Sequence, residues 1–477
     1  MIINIGRSNS IVYILARIIG IIIFLFYIGI LIIEKYPDIN MLTIIVMISV
    51  ALQVVMLICN RSVYNSGLLM VFYAYTVLVH NGFVIALFFD KNYMSFQSAA
   101  SMSFVNNPYY EKAIVIANII IFSFVFFSEI STKQPYYYPK HASTVAEVTN
   151  FEGVRWADVV GITILLFGTI YLASLVFSRG LWFVGYINVV DIAEKNALYS
   201  HSVILTSLAI ALLLSVGTRK GIRFGLILYA INAMLHFSMG NRGEVFYAAV
   251  VCFALYSIRF KTIKMKHVIF AVAVVSIIIP IVRVARELRL DSYTLNPLSS
   301  FLDVLCEEGL EISPFTYTVQ YLENGHGHVF GMTYINYLVD FLFRRIGLTN
   351  PLWIEKNMVR AFMPYPGMGY TMVCELYYNF GIFGACIIFG LIGQMIKHID
   401  GKSYYNQLSD GERVFFSMLM VEMINLTRND CSTLPVYLTY SLILLLVFRI
   451  TLLNHVRVGL NQPSRVGPNQ PISVKSN

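Results

Sequence analysis

The chain has 477 residues, of which 57% are hydrophobic and only 13% are charged, and its mean hydropathy is +0.70. Soluble domains are about 45–50% apolar and about 25% charged, so a soluble enzyme, a disordered chain and a disulfide-rich scaffold are excluded. The net charge of +8 indicates topology rather than nucleic-acid binding, because lysine and arginine concentrate in cytoplasmic loops. The composition therefore predicts an integral membrane protein.

Twelve apolar segments approach the roughly 20 residues that a helix needs to cross the hydrocarbon core. They predict an all-α polytopic membrane protein with about 12 transmembrane helices. In chain order the segments are 11–33, 41–59, 66–89, 112–130, 159–178, 203–217, 222–239, 245–259, 267–282, 381–397, 413–427 and 435–455.

The charge bias and the spacing of these segments predict the topology. With a cytoplasmic N-terminus, 19 of the 34 Lys and Arg residues lie in or beside cytoplasmic segments, so both termini are expected in the cytoplasm. The regular spacing breaks late in the chain, which predicts a large periplasmic loop between spans 9 and 10. The predicted units are spans 1–9 (1–282), the loop (283–380), spans 10–12 (381–455) and a basic cytoplasmic tail (456–477).

Within the loop, one stretch has helical periodicity. From Tyr334 to Ile346, apolar side chains recur on a single helical face. Such a helix is expected to lie in the membrane interface. The apolar residues of this face are Ile335, Leu338, Leu342 and Ile346.

The turn Met239–Glu244 is the first candidate site. Spans 7 and 8 share only residues 222–259, so the turn between them is expected at or below the outer rim. Arg242 would then lie at membrane depth, where arginine normally faces the protein interior or a water-filled cavity. Two interpretations stay open: Arg242 binds a substrate anion, or it pairs with Glu244 or a lipid phosphate and stabilises the turn.

A second basic group follows span 9. Arg283, Arg286 and Arg289 are spaced at i, i+3 and i+6, which keeps them near one helical face. Guanidinium groups bind phosphate oxygens through a fixed fork of donors, so three of them suit a pyrophosphate. The alternative is a basic collar that contacts lipid headgroups.

The stretch GMGYTMVCELYYNFG, residues 367–381, combines a helix-breaking start with polar residues that then enter a span. Glu375, Tyr378 and Asn379 share a helical face, and Tyr370 precedes them. A carboxylate beside an apolar span suits a general base. The alternative is that Glu375 neutralises one of the arginines.

Four further residues complete the candidate set. Glu422 lies inside span 11 and needs a partner, so a structural and a catalytic role are both open. Arg428 lies in a tight outer turn and is a further candidate for binding a pyrophosphate. His326 and His328 in the sequence GHGH are alternative candidates for the base; two histidines lack the remaining ligands of a zinc site, so no metal is predicted.

No P-loop, GxSxG, HExxH or Rossmann fingerprint is present. This favours chemistry on a substrate that is already activated and comes from the membrane. The spans, the late loop, the GNRGE turn and the GMGYTMVCELYYNFG stretch together resemble a Wzy-type O-antigen polymerase. The resemblance covers most of the chain as architecture and, as motifs, residues 239–247, 283–289 and 367–394.

The resemblance implies a GT-C-type membrane glycosyltransferase of the bacterial inner membrane. Such an enzyme transfers a growing glycan from undecaprenyl pyrophosphate to the non-reducing-end hydroxyl of the next lipid-linked repeat unit. It needs no nucleotide sugar, metal or other cofactor, and it allows a chain-length regulator protein as a partner beside the membrane lipid. The family's outer-face arginines would correspond to Arg242 and the Arg283, Arg286 and Arg289 set, and the base to Glu375 or, second, to one of the two histidines.

Three other protein classes fit the same features less well. A repeat-unit flippase or other transporter also has many spans, but transporters commonly have repeated halves, and no repeat is visible here. A glycosyltransferase that uses a lipid-monophosphate sugar would carry an acidic pair in the first outer loop, which Glu34 and Asp38 match poorly. A membrane scaffold has no need of the charged residues expected at membrane depth.

Overall fold

A computed structural model describes residues 8–59, 67–90, 103–130, 155–181, 196–239, 243–260, 297–345, 347–349, 370–404 and 408–460. Within these ranges the chain forms α-helices and two short 3₁₀ helices, Ser103–Asn106 and Cys431–Thr433, and no β-strand. The α-helices are α1 (Ser8–Ile33), α2 (Ile39–Cys59), α3 (Leu68–Phe89), α4 (Tyr110–Ile130), α5 (Arg155–Ser178), α6 (Ala197–Val216), α7 (Arg219–Ser238), α8 (Gly243–Arg259), α9 (Pro297–Gly309), α10 (Ile312–Glu323), α11 (Met332–Arg345), α12 (Met372–Tyr404), α13 (Asp410–Leu426) and α14 (Leu434–Leu460).

Nine helices in the described ranges are long and apolar enough to cross a membrane. They are α1 to α7, α12 and α14, and they match nine of the twelve predicted segments. Helices α8 and α13 have 17 residues each, about 26 Å at 1.5 Å per residue, and so are shorter than a full span. The ninth predicted segment, 267–282, lies outside the described residues. The all-α polytopic architecture is confirmed, and the number of 12 spans stays a prediction.

The segment predicted as a large loop is helical where the structure describes it. Helix α9 packs against α3, and α10 packs against α4. The C-terminal end of α9 contacts Gly82 so closely that a Cβ there would lie 2.5 Å from the carbonyl oxygen of Leu305. Gly82 precedes the end of α3 by seven residues, so this contact lies about 10 Å along α3 from that end. Part of the segment is therefore packed among the spans.

The predicted amphipathic helix of this segment is present as α11. Its apolar residues Ile335, Leu338 and Leu342 are about half exposed, with relative accessibilities of 47%, 52% and 53%. Ile346 lies outside the described residues. An apolar face that stays exposed at the end of a helical bundle suits contact with lipid, as expected for an interfacial helix.

Span 10 begins earlier than predicted. It was expected from residue 381, but α12 starts at Met372 and bends at Gly381, which has φ 65° and ψ −171°. The start of α12 is held to the bundle by a hydrogen bond between the Thr371 hydroxyl and Nε2 of His80 on α3, at 3.0 Å. Residues 372–380, which were predicted to precede span 10, are thus already helical and packed against the spans.

We call the end of the bundle at which α3 ends and α4 begins the site end, and the opposite one the far end. At the far end, charged side chains cap the turn between α6 and α7. Asp158 accepts a hydrogen bond from the backbone N–H of Thr218 at 2.8 Å. Arg259 donates to the carbonyl oxygens of Leu214 and Gly217 at 2.8 and 2.7 Å. Each charge lies at the helix terminus that its sign stabilises.

A third cap at the far end joins residues more than 300 positions apart. Asp400 near the end of α12 is buried, and its carboxylate accepts hydrogen bonds from the N–H groups of Leu68 and Leu69 at the start of α3, at 3.1 and 3.5 Å. Gly67 makes this approach possible, because a Cβ there would overlap the carboxylate. The carboxylate thus replaces the side-chain cap that α3 lacks within its own sequence.

We expect Asp400→Ala to lower the free energy of unfolding by about 1–3 kcal/mol, because it removes a cap and leaves buried N–H donors unsatisfied. The measurement is an unfolding titration of the full chain in detergent. Asp410→Ala is the matched control: this side chain is 37% exposed and its pairing with Arg413 is loose, at 3.6 Å, so we expect a change of about 1 kcal/mol or less. Equal losses for the two variants would contradict the capping role of Asp400.

Candidate functional site

The Glu375 carboxylate joins three segments at the site end. The residue is fully buried in the first turn of α12. Its Oε1 accepts a hydrogen bond from the Thr333 hydroxyl of α11 at 2.7 Å, and its Oε2 accepts one from the backbone N–H of Cys431 at 2.9 Å. Both oxygens of the predicted base are therefore occupied by protein donors. Burial is the main cause that raises the pKa of the nearby Tyr337 phenol well above its usual range, and the negative charge of Glu375 adds to it.

Asn379 completes this network one turn further along α12. Its Nδ2 donates to the Thr333 hydroxyl oxygen and to the carbonyl oxygen of Glu375, both at 2.8 Å. Its Oδ1 accepts from the backbone N–H of Gly331 at 2.9 Å. Glu375 and Asn379 thus share the face that the sequence indicates, and together they hold the start of α11.

Tyr378 and Tyr370 belong to a neighbouring aromatic group rather than to the Glu375 network. The rings of the two tyrosines meet edge to face at 6.5 Å, and the Tyr378 ring also meets that of Tyr321. The Tyr370 hydroxyl accepts a hydrogen bond from the Thr318 hydroxyl at 3.4 Å. These contacts pack the start of α12 against α10.

His328 lies beside the bend of α12. Its Nδ1 is 3.1 Å from the carbonyl oxygen of Tyr378. Because a carbonyl oxygen only accepts, Nδ1 carries the proton of this bond, and Nε2 of the neutral ring then carries a lone pair. The side chain is half-buried. An imidazole with one nitrogen fixed by a carbonyl and the other basic is arranged to take up a proton.

His326, two residues earlier, has a different environment. Its ring stacks on that of Tyr321, with centroids 3.9 Å apart and planes within 7° of each other. The residue is exposed. The two histidines of the GHGH sequence therefore lie in distinct settings, and only His328 is held at the bend of α12.

The bend at Gly381 makes the room that His328 occupies. A Cβ on this glycine would lie 3.3 Å from Nε2 of His328. The backbone angles of φ 65° and ψ −171° fall in a region that is essentially restricted to glycine. Gly381 thus fixes both the course of α12 and the position of the imidazole.

We expect Gly381→Ala to lower the free energy of unfolding by about 1–3 kcal/mol, since alanine is strained at these backbone angles. The added methyl group would also displace Nε2, so any activity that depends on this nitrogen should fall at least tenfold per folded molecule. The measurement pairs an unfolding titration with an activity assay. Gly29→Ala is the control, because a Cβ at that helical position meets no atom within 4 Å. Normal activity per folded molecule in Gly381→Ala would contradict the placement of His328.

Arg428 is surrounded by acidic groups. Its Nε donates to Oε1 of Glu311 at 3.0 Å, and its Nη1 lies 3.2 and 3.1 Å from the two carboxylate oxygens of Glu308. Burial disfavours the charge of Arg428, but the two carboxylates prevail and raise its pKa well above the usual value. Burial raises the pKa of the Glu311 carboxyl, against the influence of Arg428. An arginine already paired with two carboxylates is a weak binder for a further anion.

Glu422 finds its partners in hydrogen bonds. Its carboxylate accepts from Nδ2 of Asn425 at 3.0 Å and from the Thr433 hydroxyl at 2.7 Å. The network continues to α8, because Nδ2 of Asn429 donates to Oδ1 of Asn425 at 2.8 Å and to the Tyr247 hydroxyl at 3.2 Å. The structure thus gives Glu422 a fully bonded, buried position that links the ends of α13 and α8.

The remaining predicted site residues are arginines and one acid that fall outside the described part. Arg242, Arg283, Arg286 and Arg289 lie outside the described residues, as does the side chain of Glu244. The helix that follows Arg242 in the sequence, α8, begins at Gly243, and its Tyr247 belongs to the network of Asn429. Among the described residues, no group of three or more His, Cys, Asp or Glu side chains is arranged to hold a metal ion.

Sequence reasoning missed several polar residues of this site. Glu308 and Glu311 look like ordinary charges of an amphipathic loop helix, and Thr333 and Asn429 have no distinctive motif. Their roles depend on contacts between segments up to 182 positions apart. The one available signal was Arg428, whose burial in a tight turn demands a countercharge.

The chain is similar to known proteins over most of its length. Residues 14–456 match the family described as O-antigen polysaccharide polymerase Wzy. Protein CapE of Staphylococcus aureus is 23% identical over 407 residues, which cover 84% of this chain and 87% of that protein. No solved structure matches the chain. The chain therefore belongs to the O-antigen polysaccharide polymerase Wzy family, whose members are membrane glycosyltransferases that act on lipid-linked repeat units.

Proposed function

We propose that this chain polymerises lipid-linked oligosaccharide repeat units at the outer face of the bacterial inner membrane. It transfers the growing glycan from undecaprenyl pyrophosphate to the non-reducing-end hydroxyl of the next unit. The observation that carries the proposal is the family match over residues 14–456, together with polar and charged side chains gathered at one end of the helical bundle. A chain-length regulator protein would act on this product as a separate partner.

The orientation that we propose follows from the positive-inside bias. With a cytoplasmic N-terminus, α3 runs outward and ends at the site end. The far end, which holds Arg259, Lys397 and Lys402, then faces the cytoplasm. The polar site is thus accessible from the side on which lipid-linked repeat units are displayed.

His328 is the general base of the proposed reaction. Its Nε2 takes the proton of the acceptor hydroxyl as that oxygen attacks the anomeric carbon of the donor glycan. The bond between this carbon and the pyrophosphate oxygen breaks, and the electron pair leaves with the lipid pyrophosphate. Proton transfer by a positioned imidazole contributes about 10²–10⁴ in rate, and the half-buried position of His328 leaves its ring within reach of a substrate.

Glu375, the first candidate for the base from the sequence, is a positioning residue in this proposal. Its two oxygens already accept hydrogen bonds from Thr333 and Cys431, so they are engaged in holding protein groups rather than free to accept a substrate proton. It holds the start of α11, which follows His328 by four residues.

The leaving pyrophosphate needs positive charge, because electrostatic stabilisation of the developing anion is a large part of such catalysis. We assign this role to Arg242, Arg283, Arg286 and Arg289, the arginines predicted near the outer rim. Arg428 is paired with Glu308 and Glu311, so it contributes little free positive charge.

The experiment is a glycan ladder on a gel, from a strain that lacks this gene and from the same strain with the gene restored. A core that carries a single repeat unit in the deletion, and a full ladder after restoration, supports the polymerase. Lipid-linked units that accumulate on the inner face would instead indicate a flippase. An unchanged ladder would contradict both roles.

A further inference from the structure

One group of side chains packed between the helices has no role in the reaction described so far. It consists of Glu308, Glu311, Arg428, Tyr75 and Tyr247, and we call it the Arg428 cluster. Arg428 donates to both carboxylates, and the Tyr75 phenol interacts electrostatically with the three charged residues and with Tyr247. The ring centroids of the two tyrosines are 6.3 Å apart. Residues from α3, α8, the α9–α10 turn and the α13–α14 turn therefore meet in one place.

The charge of the cluster argues against an anionic ligand. Two carboxylates face one guanidinium, so the local sum is negative when both acids are ionised. A phosphate group would have to displace a carboxylate from Arg428 at close range, which like charges oppose. Hydroxyl groups are favoured instead, because a hydroxyl donates to a carboxylate and accepts from a guanidinium or a phenol.

Two buried polar atoms of the cluster have no hydrogen-bond partner among the described residues. They are Oε2 of Glu311 and the hydroxyl of Tyr75, in residues that are only 6% and 4% exposed. Native proteins satisfy nearly all buried polar atoms, since an unsatisfied one costs about 1–3 kcal/mol. An acceptor and a phenol that both lack partners in the same cluster indicate a place where a ligand supplies the missing hydrogen bonds.

The cluster lies close in sequence to the groups that act on the substrate. Arg428 precedes Cys431 by three residues, and the Cys431 N–H is bonded to Glu375. Glu375 in turn binds Thr333 at the start of α11, just after His328. The side chain of Arg428 is 21% exposed, the largest exposed fraction among the three charged side chains of the cluster.

We propose that the Arg428 cluster is a binding site for sugar hydroxyl groups of the acceptor repeat unit. Glu311 Oε2 accepts a hydrogen bond from one sugar hydroxyl, and the Tyr75 phenol bonds a second. This inference rests on the proposed polymerase function, because it assigns a subsite to that reaction's substrate. Arg428 then keeps the two carboxylates in position to bind sugar hydroxyls, and it does not bind the pyrophosphate.

Tyr75→Phe is the sharpest test. It removes an oxygen that has no partner in the part of the chain that the structure describes, so the variant should unfold at the same or a higher denaturant concentration than the wild type. The probe is the repeat-unit oligosaccharide released from its lipid, titrated calorimetrically into the full chain in lipid nanodiscs. We expect its Kd to rise about three- to tenfold, as for the loss of one neutral hydrogen bond. Unchanged affinity in this variant would overturn the proposal.

Glu311→Gln is the second variant, and Glu323→Gln at the end of the following helix, α10, is its control. The glutamine keeps the volume of Glu311 but loses the charge, and we expect the Kd to rise about 10- to 100-fold. Glu323 pairs with Lys112 at the C-terminal end of α10, so Glu323→Gln should bind the oligosaccharide like the wild type. Equal affinity of Glu311→Gln and the wild type, or competition of inorganic pyrophosphate for the same site, would overturn the proposal.

Binding and polymerisation are read separately in these experiments. If the wild-type chain binds the oligosaccharide through Tyr75 and Glu311 but forms no polymer, the sugar site stands and the proposed function fails. If it forms polymer while both variants bind the oligosaccharide like the wild type, the function stands and the sugar site fails.

Discussion

His328→Ala should reduce the initial rate of polymer formation by about 10²–10⁴-fold, the usual contribution of a positioned general base. Its one hydrogen bond to the described residues, to the Tyr378 carbonyl, is worth about 0.5–1.5 kcal/mol, so the variant should fold and reach the membrane. The measurement is the rate at which lipid-linked units enter polymer, per molecule of folded enzyme. On a gel, the variant should leave a core with one repeat unit.

His398→Ala is the matched control for this variant. That histidine is exposed on α12 near the far end of the bundle, so its loss should leave the rate within about twofold, as for a surface substitution. His326→Ala decides between the two histidines of the GHGH sequence. If it abolishes the polymer while His328→Ala does not, the assignment of the base to His328 is wrong.

Glu375→Ala should lower the free energy of unfolding by about 2–5 kcal/mol. The substitution leaves the Thr333 hydroxyl and the Cys431 N–H buried without an acceptor, and each such group costs about 1–3 kcal/mol. The measurement is an unfolding titration of the purified chain, with the amount of folded protein in the membrane as a second readout. Polymer formation should fall in proportion to the folded protein.

Two comparisons separate a positioning role of Glu375 from a catalytic one. Glu323→Ala removes an exposed ion pair with Lys112 and should cost about 1 kcal/mol or less. Glu375→Gln keeps an acceptor for Thr333 and should retain part of the stability and of the activity. A Glu375→Gln enzyme that folds normally but forms no polymer would show that Glu375 is the base, as the sequence first suggests.

The membrane architecture could be predicted because it is a property of local composition. A run of about 20 apolar residues crosses a bilayer whatever its neighbours are, and nine of the predicted segments are long apolar helices in the structure. The prediction was least exact where a span is short or bent. Helix α12 begins at Met372 rather than 381, because Gly381 bends the helix instead of starting it.

The candidate site could be predicted only in part. Glu375, Asn379 and Arg428 stood out because polar residues beside apolar runs need partners, and His328 stood out as a histidine of the GHGH sequence that could act as a base. Their partners did not, since a hydrogen bond between Glu375 and Cys431 spans 56 positions and leaves no local pattern. The packing of α9 and α10 against α3 and α4 was likewise invisible in a segment that reads as a loop.

Reconstitution tests most directly whether this chain alone joins lipid-linked repeat units. The purified full chain in lipid nanodiscs is mixed with lipid-linked single repeat units from the deletion strain, with no nucleotide sugar and with a metal chelator present. We expect a ladder of longer glycans on lipid and release of one lipid pyrophosphate for each bond formed, with His328→Ala inactive in parallel. Single units that stay unchanged with folded wild-type protein would contradict the account.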